Sequence, residues 1–201
     1  MPMRVAVCIS GRGSNLASLV GALPPGGPAD VVLVMSNRGD AGGVAWAREC
    51  GIATHVLTDH ADAGEWLDRL HRLRVELVVL AGYLKLVPPR VIAEYRDRIV
   101  NIHPALLPSF GGAGMYGIRV HQAVLARGDA ETGATVHLVD EQYDRGAILA
   151  QARVPVLSGD TPETLAARVL DAEHRLLPAV VLAAAKAGRP VPLPATVESS
   201  K

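Results

Sequence analysis

The sequence predicts an α/β fold: a mostly parallel, doubly wound sheet, then a late antiparallel strand pair and a long carboxyl-terminal helix. Three observations carry this. Through the first half of the chain, short apolar runs rich in β-branched residues alternate with helical patterns. That alternation implies right-handed crossovers and a parallel sheet covered on both faces. Two later runs are joined by a polar loop too short for a helical crossover, which points to an antiparallel pair. A final stretch keeps the helical period from Thr161 to Gly188.

Arg4–Ser10 is the first strand, a compact apolar run from Val5 to Ile9 rich in β-branched residues, as expected of a strand buried on both faces. Gly11-Arg12-Gly13-Ser14-Asn15 breaks it, and Leu16–Ala22 is the helix that follows. Val31–Met35 is the second strand, closed by Ser36–Asp40, with Gly43–Cys50 the second helix. His55–Leu57 and Glu65–Leu73 make the third strand and helix, and Leu77–Ala81 the fourth strand, broken at Gly82. Arg98–Val100 ends a fifth strand. The segment Ser109–Gly117 carries Gly111, Gly112, Gly114 and Gly117 and is too permissive for a regular element. Val120–Arg127 is a helix, and Gly133–Val139 and Ile148–Val154 are the antiparallel strands. Thr161 is an N-cap with Pro162 at the first helical position; Pro178 should kink the last helix and Gly188 end it. Residues 1–188 are expected to form one domain, and 189–201 a Pro-rich tail.

Ligands of such sheets bind at the carboxyl ends of the strands, so the loops after Ser10, Ala81 and Val100 should share a crevice. At the first of these, glycines permit close approach of an anion, the helix N-terminus supplies free amides, and Ser14 and Asn15 add polar groups. A dinucleotide site fits poorly, because Leu16 occupies the third glycine position and Ser36-Asn37-Arg38 offers no acidic ribose ligand. A single phosphate monoester is the better match; a turn capped by Ser14 or Asn15 is the alternative. At the last loop, Asn101 and His103 lie two residues apart on extended backbone and leave one face. An amide donor beside a titratable ring suits a reaction that turns a carbonyl oxygen into an oxyanion. The loop 140–146 can bring a carboxylate to His103, where a negative charge would favour the imidazolium a general acid requires. On spacing alone Asp140, Glu141 and Asp144 all qualify.

Composition narrows the classes. The 201 residues are 49% hydrophobic and 20% charged, enough for a substantial core, and twenty basic residues balance twenty acidic ones. That balance gives no electrostatic support for nucleic-acid or membrane-surface binding. Cys8 and Cys50 form neither a disulfide framework nor a metal spacing, and Met1-Pro2-Met3-Arg4 is no signal peptide, so a cytoplasmic location is expected.

The segments 10–16 (Ser-Gly-Arg-Gly-Ser-Asn-Leu), 101–108 (Asn-Ile-His-Pro-Ala-Leu-Leu-Pro) and Gly133–Gly146 together resemble the folate-dependent formyltransferase family, and within it the glycinamide ribonucleotide formyltransferases of purine synthesis. The resemblance is collinear from Arg4 to about Gly188, and Asn-x-His-Pro is shared by the wider family. It implies a Rossmann-like formyltransferase fold and transfer of a formyl group from 10-formyltetrahydrofolate, as cosubstrate, to the amine of glycinamide ribonucleotide. It implies a catalytic set of Asn101, His103 and Asp144, and so selects Asp144 among the acidic candidates. Gly13, Ser14 and Asn15 are then expected at the ribonucleotide phosphate, with Leu170, Asp171, Ala172 and Glu173 reaching the same substrate from the last helix. Leu84, Lys85, Leu86 and Val87, with Asp140, Glu141, Gln142, Tyr143, Asp144 and Asn101, are expected around the folate. No metal and no tightly bound cofactor is implied, and the partners are small molecules, with monomer and homodimer both open. The chain departs from better-known members at Gly64, where they carry an arginine near the folate tail, and in the longer loop Gly111–Gly117. A methionyl-tRNA formyltransferase domain and a non-catalytic nucleotide-binding module are the competing readings.

Overall fold

The computed structural model describes residues 1–193. In chain order their elements are β1 (Met3–Ile9), α1 (Ser14–Ala22), β2 (Ala29–Ser36), α2 (Gly42–Glu49), β3 (Ala53–Val56), α3 (Ala63–Arg72) and β4 (Leu77–Leu80). There follow α4 (Pro89–Glu94), β5 (Ile99–His103), α5 (Ile118–Arg127), β6 (Glu131–Leu138), β7 (Ile148–Pro155) and α6 (Pro162–Ala187). The strands form one sheet in the order β3-β2-β1-β4-β5-β6-β7, parallel from β3 to β5 and antiparallel at β5–β6 and β6–β7.

The period of the strands divides the core in two. Val5, Val7 and Ile9 of β1 face a layer with Leu16 and Leu19 of α1 and Leu165, Val169 and Leu176 of α6. Ala6 and Cys8 point the other way, towards Leu33, Met35, Trp66, Leu70 and Tyr95. Both faces are dry, which is why β1 from Val5 onward and the whole of β4 are apolar at every position.

Local chemistry sets the element ends. Thr161 and Thr164 form a reciprocal capping box at the start of α6, and the Asp62 carboxylate accepts the Gly64 N–H at the start of α3. The last helix runs unbroken through Pro178. Proline has no N–H for the carbonyl four residues back, and that carbonyl, of His174, instead accepts the Ser18 hydroxyl at 2.8 Å. One substitute hydrogen bond thus joins α6 to α1. The short helix α4 has no counterpart in the sequence reading; Pro89 occupies its first position, where a missing N–H costs nothing. The strand β5 extends through Asn101 and His103, so the Asn-x-His pair lies within the ladder. The expected tail lies outside the described residues from residue 194 onward. Before that point Leu193 donates its N–H to Leu149 O at 2.8 Å, against the edge strand β7.

Candidate active site

Connections from β1 and β4 leave in opposite directions along the sheet, and at such a point the carboxyl ends of the strands open a crevice. A cavity of about 520 Å³ fills it, lined from the loops after β1, β4 and β5, the β6–β7 loop and one face of α6. Its size suits a small molecule. The ends of the strands are tied together behind it. The Ser10 hydroxyl donates to Asn37 Oδ1 at 2.6 Å and accepts the Leu84 N–H at 2.9 Å, which fixes the loop after β4 against β1.

On one wall, Asn101 and His103 leave the same face of β5. The antiparallel partner β6 places His137 directly opposite Asn101 and Thr135 opposite His103. His137 donates from Nδ1 to Leu138 O at 2.7 Å; its Nε2 lies 3.0 Å from the Asn101 amide nitrogen, from which the neutral ring can accept, and 3.4 Å from Asp144 Oδ1, to which the protonated ring can donate. The same Asn101 nitrogen lies 3.4 Å from Asp144 Oδ1, a longer and weaker contact. Asp144 Oδ2 lies 3.6 Å from His103 Nδ1 and accepts the Gly112 N–H at 2.9 Å. The other ring nitrogen of His103, Nε2, donates to Phe110 O at 2.8 Å. Asp140 is exposed and spends its carboxylate on the Gln142 N–H, so Asp144 is the carboxylate in reach of His103.

The electrostatics correct one expectation. Burial pushes His103 below the ordinary imidazole value; the Asp144 carboxylate and the Phe110 carbonyl only partly restore it, and His137 depresses it further. The ring is therefore neutral at pH 7 in the free protein, because desolvation outweighs an attraction acting across 3.6 Å. For Asp144, burial alone would raise the carboxyl, but the His137 and His103 rings and the Gly112 amide outweigh it and hold it below the usual range. His121 of α5, also buried and lining the cavity, is lowered by burial and by the nearby His103.

At the other end of the cavity, Gly13 occupies the N-cap of α1 with φ +80°, and no side chain caps the helix. A Cβ there would lie 2.8 Å from Gly43 Cα, so only glycine fits the packing of the turn against α2. The capped-turn alternative for Ser14 and Asn15 does not hold, and the first amides of α1 are open. Asn15 donates to Glu173 Oε2 at 2.7 Å, while its own Oδ1 is buried without a partner. Glu173 is buried, and desolvation, eased by the Asn15 hydrogen bond, pushes its carboxyl up to about 7.

Among the residues singled out from sequence, Asn15, Leu170 and Glu173 line the cavity with Leu84, Lys85, Leu86, Val87, Asp140, Gln142, Tyr143 and the Asn101, His103, Asp144 set. Gly13 and Ser14 are not on its wall but lie in the chain between Arg12 and Asn15, which are; Asp171 and Glu141 are exposed, and Ala172 faces the core. The exposed apolar side chains Leu84, Leu86, Tyr116 and Tyr143 rim its mouth. Gly64 sits in the first turn of α3 and contributes no side chain. Sequence reasoning missed His137 and His121. Arg12 and Lys85 are the arginine and lysine on the cavity wall. No group of three or more His, Cys, Asp or Glu among the described residues is placed to hold a metal ion, and no helix among them is long and apolar enough to cross a membrane.

Fold and site together define a doubly wound α/β transferase with an Asn–His–Asp set at the strand ends. The chain belongs to the formyl transferase family, whose model matches residues 3–181. It is 46% identical to the chloroplastic phosphoribosylglycinamide formyltransferase of Arabidopsis thaliana, over 89% of this chain and 64% of that protein. It is 39% identical to the phosphoribosylglycinamide formyltransferase of Escherichia coli K12, over 89% of this chain and 85% of that one. The chain thus spans less than two thirds of the plant relatives, 64% and 59% of their lengths, but most of the bacterial one. The crystal structure of the Brucella melitensis phosphoribosylglycinamide formyltransferase superposes with a TM-score of 0.83 at 47% identity, covering 92% of this chain and 96% of that one.

Proposed function

We propose that this protein transfers the formyl group of 10-formyltetrahydrofolate to the primary amine of glycinamide ribonucleotide, a step of purine synthesis, with residues 1–188 acting as one formyltransferase domain. The observation that carries the reading is the convergence of Asn101, His103 and Asp144 on a cavity that also takes in the uncapped start of α1. Support comes from family membership and from the activity for which the similar enzymes are named.

The ribonucleotide phosphate would sit on the open amides of Gly13, Ser14 and Asn15, where the helix dipole favours an anion. Glu173 would accept hydrogen bonds from the ribose hydroxyls. The apolar rim of Leu84, Leu86 and Tyr143 would hold the flat pterin, and the main chain near Asp140 and Gln142 would read its polar edge. The amine attacks the formyl carbon, and the carbonyl oxygen becomes an oxyanion. Asn101 would meet it by redirecting the N–H now spent on the long contact to Asp144 Oδ1. Neutral His103 takes the proton released by the attacking nitrogen on Nδ1, and the Asp144 carboxylate stabilises the imidazolium formed. His103 then returns that proton to the departing folate nitrogen as the carbon–nitrogen bond breaks, so the charge on the site closes.

The test mixes the protein with 10-formyltetrahydrofolate and glycinamide ribonucleotide and follows tetrahydrofolate release. Turnover with the ribonucleotide and none with methionyl-tRNA is the expected result. Turnover with methionyl-tRNA alone would move the chain to a different branch of the family, and no turnover with either would overturn the enzymatic reading.

A further inference from the structure

Phe110 is bulky, yet its φ is +56°, the left-handed region that non-glycine residues rarely enter. The consequence is local and specific: its carbonyl points at His103 and accepts from Nε2 at 2.8 Å. We propose that Phe110 is a positioning residue for His103, acting through its main-chain carbonyl, and that the left-handed turn is what aims this carbonyl. The proposal rests on the reading of His103 as the proton carrier.

A neutral imidazole has one N–H, and a carbonyl can only accept. The Phe110 oxygen therefore holds the proton on Nε2 and leaves the Nδ1 lone pair on the side of Asp144. Without that acceptor, the proton is drawn to Nδ1 by the carboxylate at 3.6 Å, and the ring can no longer take a proton from a reacting group there.

Neighbouring contacts hold the turn in place. The Arg127 guanidinium lies over the Phe110 ring, 4.0 Å from its centroid. At Gly111 a Cβ would lie 2.6 Å from Leu107 Cδ2 and 3.1 Å from Asp144 Cβ, so the chain passes close against the catalytic loop only because glycine is there. Gly112 then donates its N–H to Asp144 Oδ2. Three successive residues thus touch both titratable members of the set, one by an acceptor and the other by a donor. The remaining charged or titratable groups around His103 are Asp144 from the β6–β7 loop, His137 from β6 and His121 from α5.

Substitution at position 110 separates a backbone role from a side-chain role. Asparagine and glycine accept a positive φ, whereas β-branched valine does not. Phe110→Asn and Phe110→Gly should keep kcat within about threefold of the parent, whereas Phe110→Val should lose roughly 10²-fold, the scale of a misplaced catalytic group. KM for both substrates should barely move in any of the three. Nitrogen-15 NMR of the imidazoles in the parent should show His103 protonated on Nε2, a readout independent of turnover, and this should persist in the asparagine variant and be lost in the valine one. An Nδ1–H tautomer in the parent protein overturns the proposal even if no substitution folds well. So do equal losses in the asparagine and valine variants, or an unchanged kcat in all three. Absence of formyl transfer in the parent, with the tautomer as expected, would instead count against the activity.

Discussion

Asn101 and His137 face each other across the β5–β6 ladder, with the Asn101 amide nitrogen 3.0 Å from His137 Nε2. Leu138 O can only accept, so it holds a proton on His137 Nδ1, and the neutral form of the ring then presents Nε2 as an acceptor that fixes which way the Asn101 amide turns. If Asn101 supplies an oxyanion donor, Asn101→Ala should lower kcat by roughly 10²–10³-fold with ribonucleotide KM nearly unchanged. His137→Ala should cost less, and the double variant no more than Asn101→Ala alone, since the two act as a unit. Steady-state kinetics on the four proteins checks this; additive losses would separate the two residues.

Asp144 is the nearest source of negative charge for His103, and burial opposes it. Asp144→Asn removes the attraction and keeps the desolvation, so the His103 pKa should fall further below its already lowered value. Asp140→Asn should leave it nearly unmoved, because that carboxylate is exposed and engaged with Gln142. Proton NMR titration of the three proteins reads the shifts directly. A fall in the Asp140 variant alone would reverse the assignment.

How much of this was legible beforehand varies with what fixes each feature. The strands β1 and β4 are buried on both faces, so their continuous apolar runs identify them without tertiary information. Helix α4 is six residues long, too short for a period to show. His137 belongs to a strand that was recognised, but its pairing with Asn101 depends on a register that no local pattern reports. His121 sits on the buried face of α5, where a histidine reads as core. Asp144 stood out from Asp140 only by family resemblance; in space, its φ of +55° turns the loop so that its carboxylate enters the site. The neutral state of His103 is a product of burial and could not be read from its neighbours in sequence.

The open start of α1 gives a charge-reversal test. Ser14→Asp introduces a carboxylate beside the amides proposed for the phosphate, and should raise ribonucleotide KM by about tenfold or more, with folate KM changed much less. Initial-rate measurements with each substrate varied in turn decide it. Equal effects on the two constants would mean that the anion binds elsewhere.

Glu173 yields a prediction about stability as well as binding. Its carboxyl is pushed up to about 7 in the folded chain by burial, against an ordinary value near 4.5. Between those two pH values the folded state keeps a proton that the unfolded state has lost, so stability falls as pH rises through this window and the full penalty is present above it. The size of that penalty is on the order of 3 kcal/mol for a shift of this extent. Glu173→Gln imitates the protonated form and still accepts from Asn15 through its amide oxygen, so it should escape the penalty. Urea unfolding of both proteins from pH 5 to 8 should show the parent losing stability relative to the variant as pH increases. Parallel curves would mean that Glu173 ionises normally and that water reaches it. Ligand provides the second arm. Hydroxyl donors on the carboxylate favour its ionised form, so ribonucleotide binding to the parent near pH 7 should release a fraction of a proton, seen by calorimetry in buffers of different ionisation enthalpy. The glutamine variant should release none from this site, and equal release by both proteins would place the ribose away from Glu173.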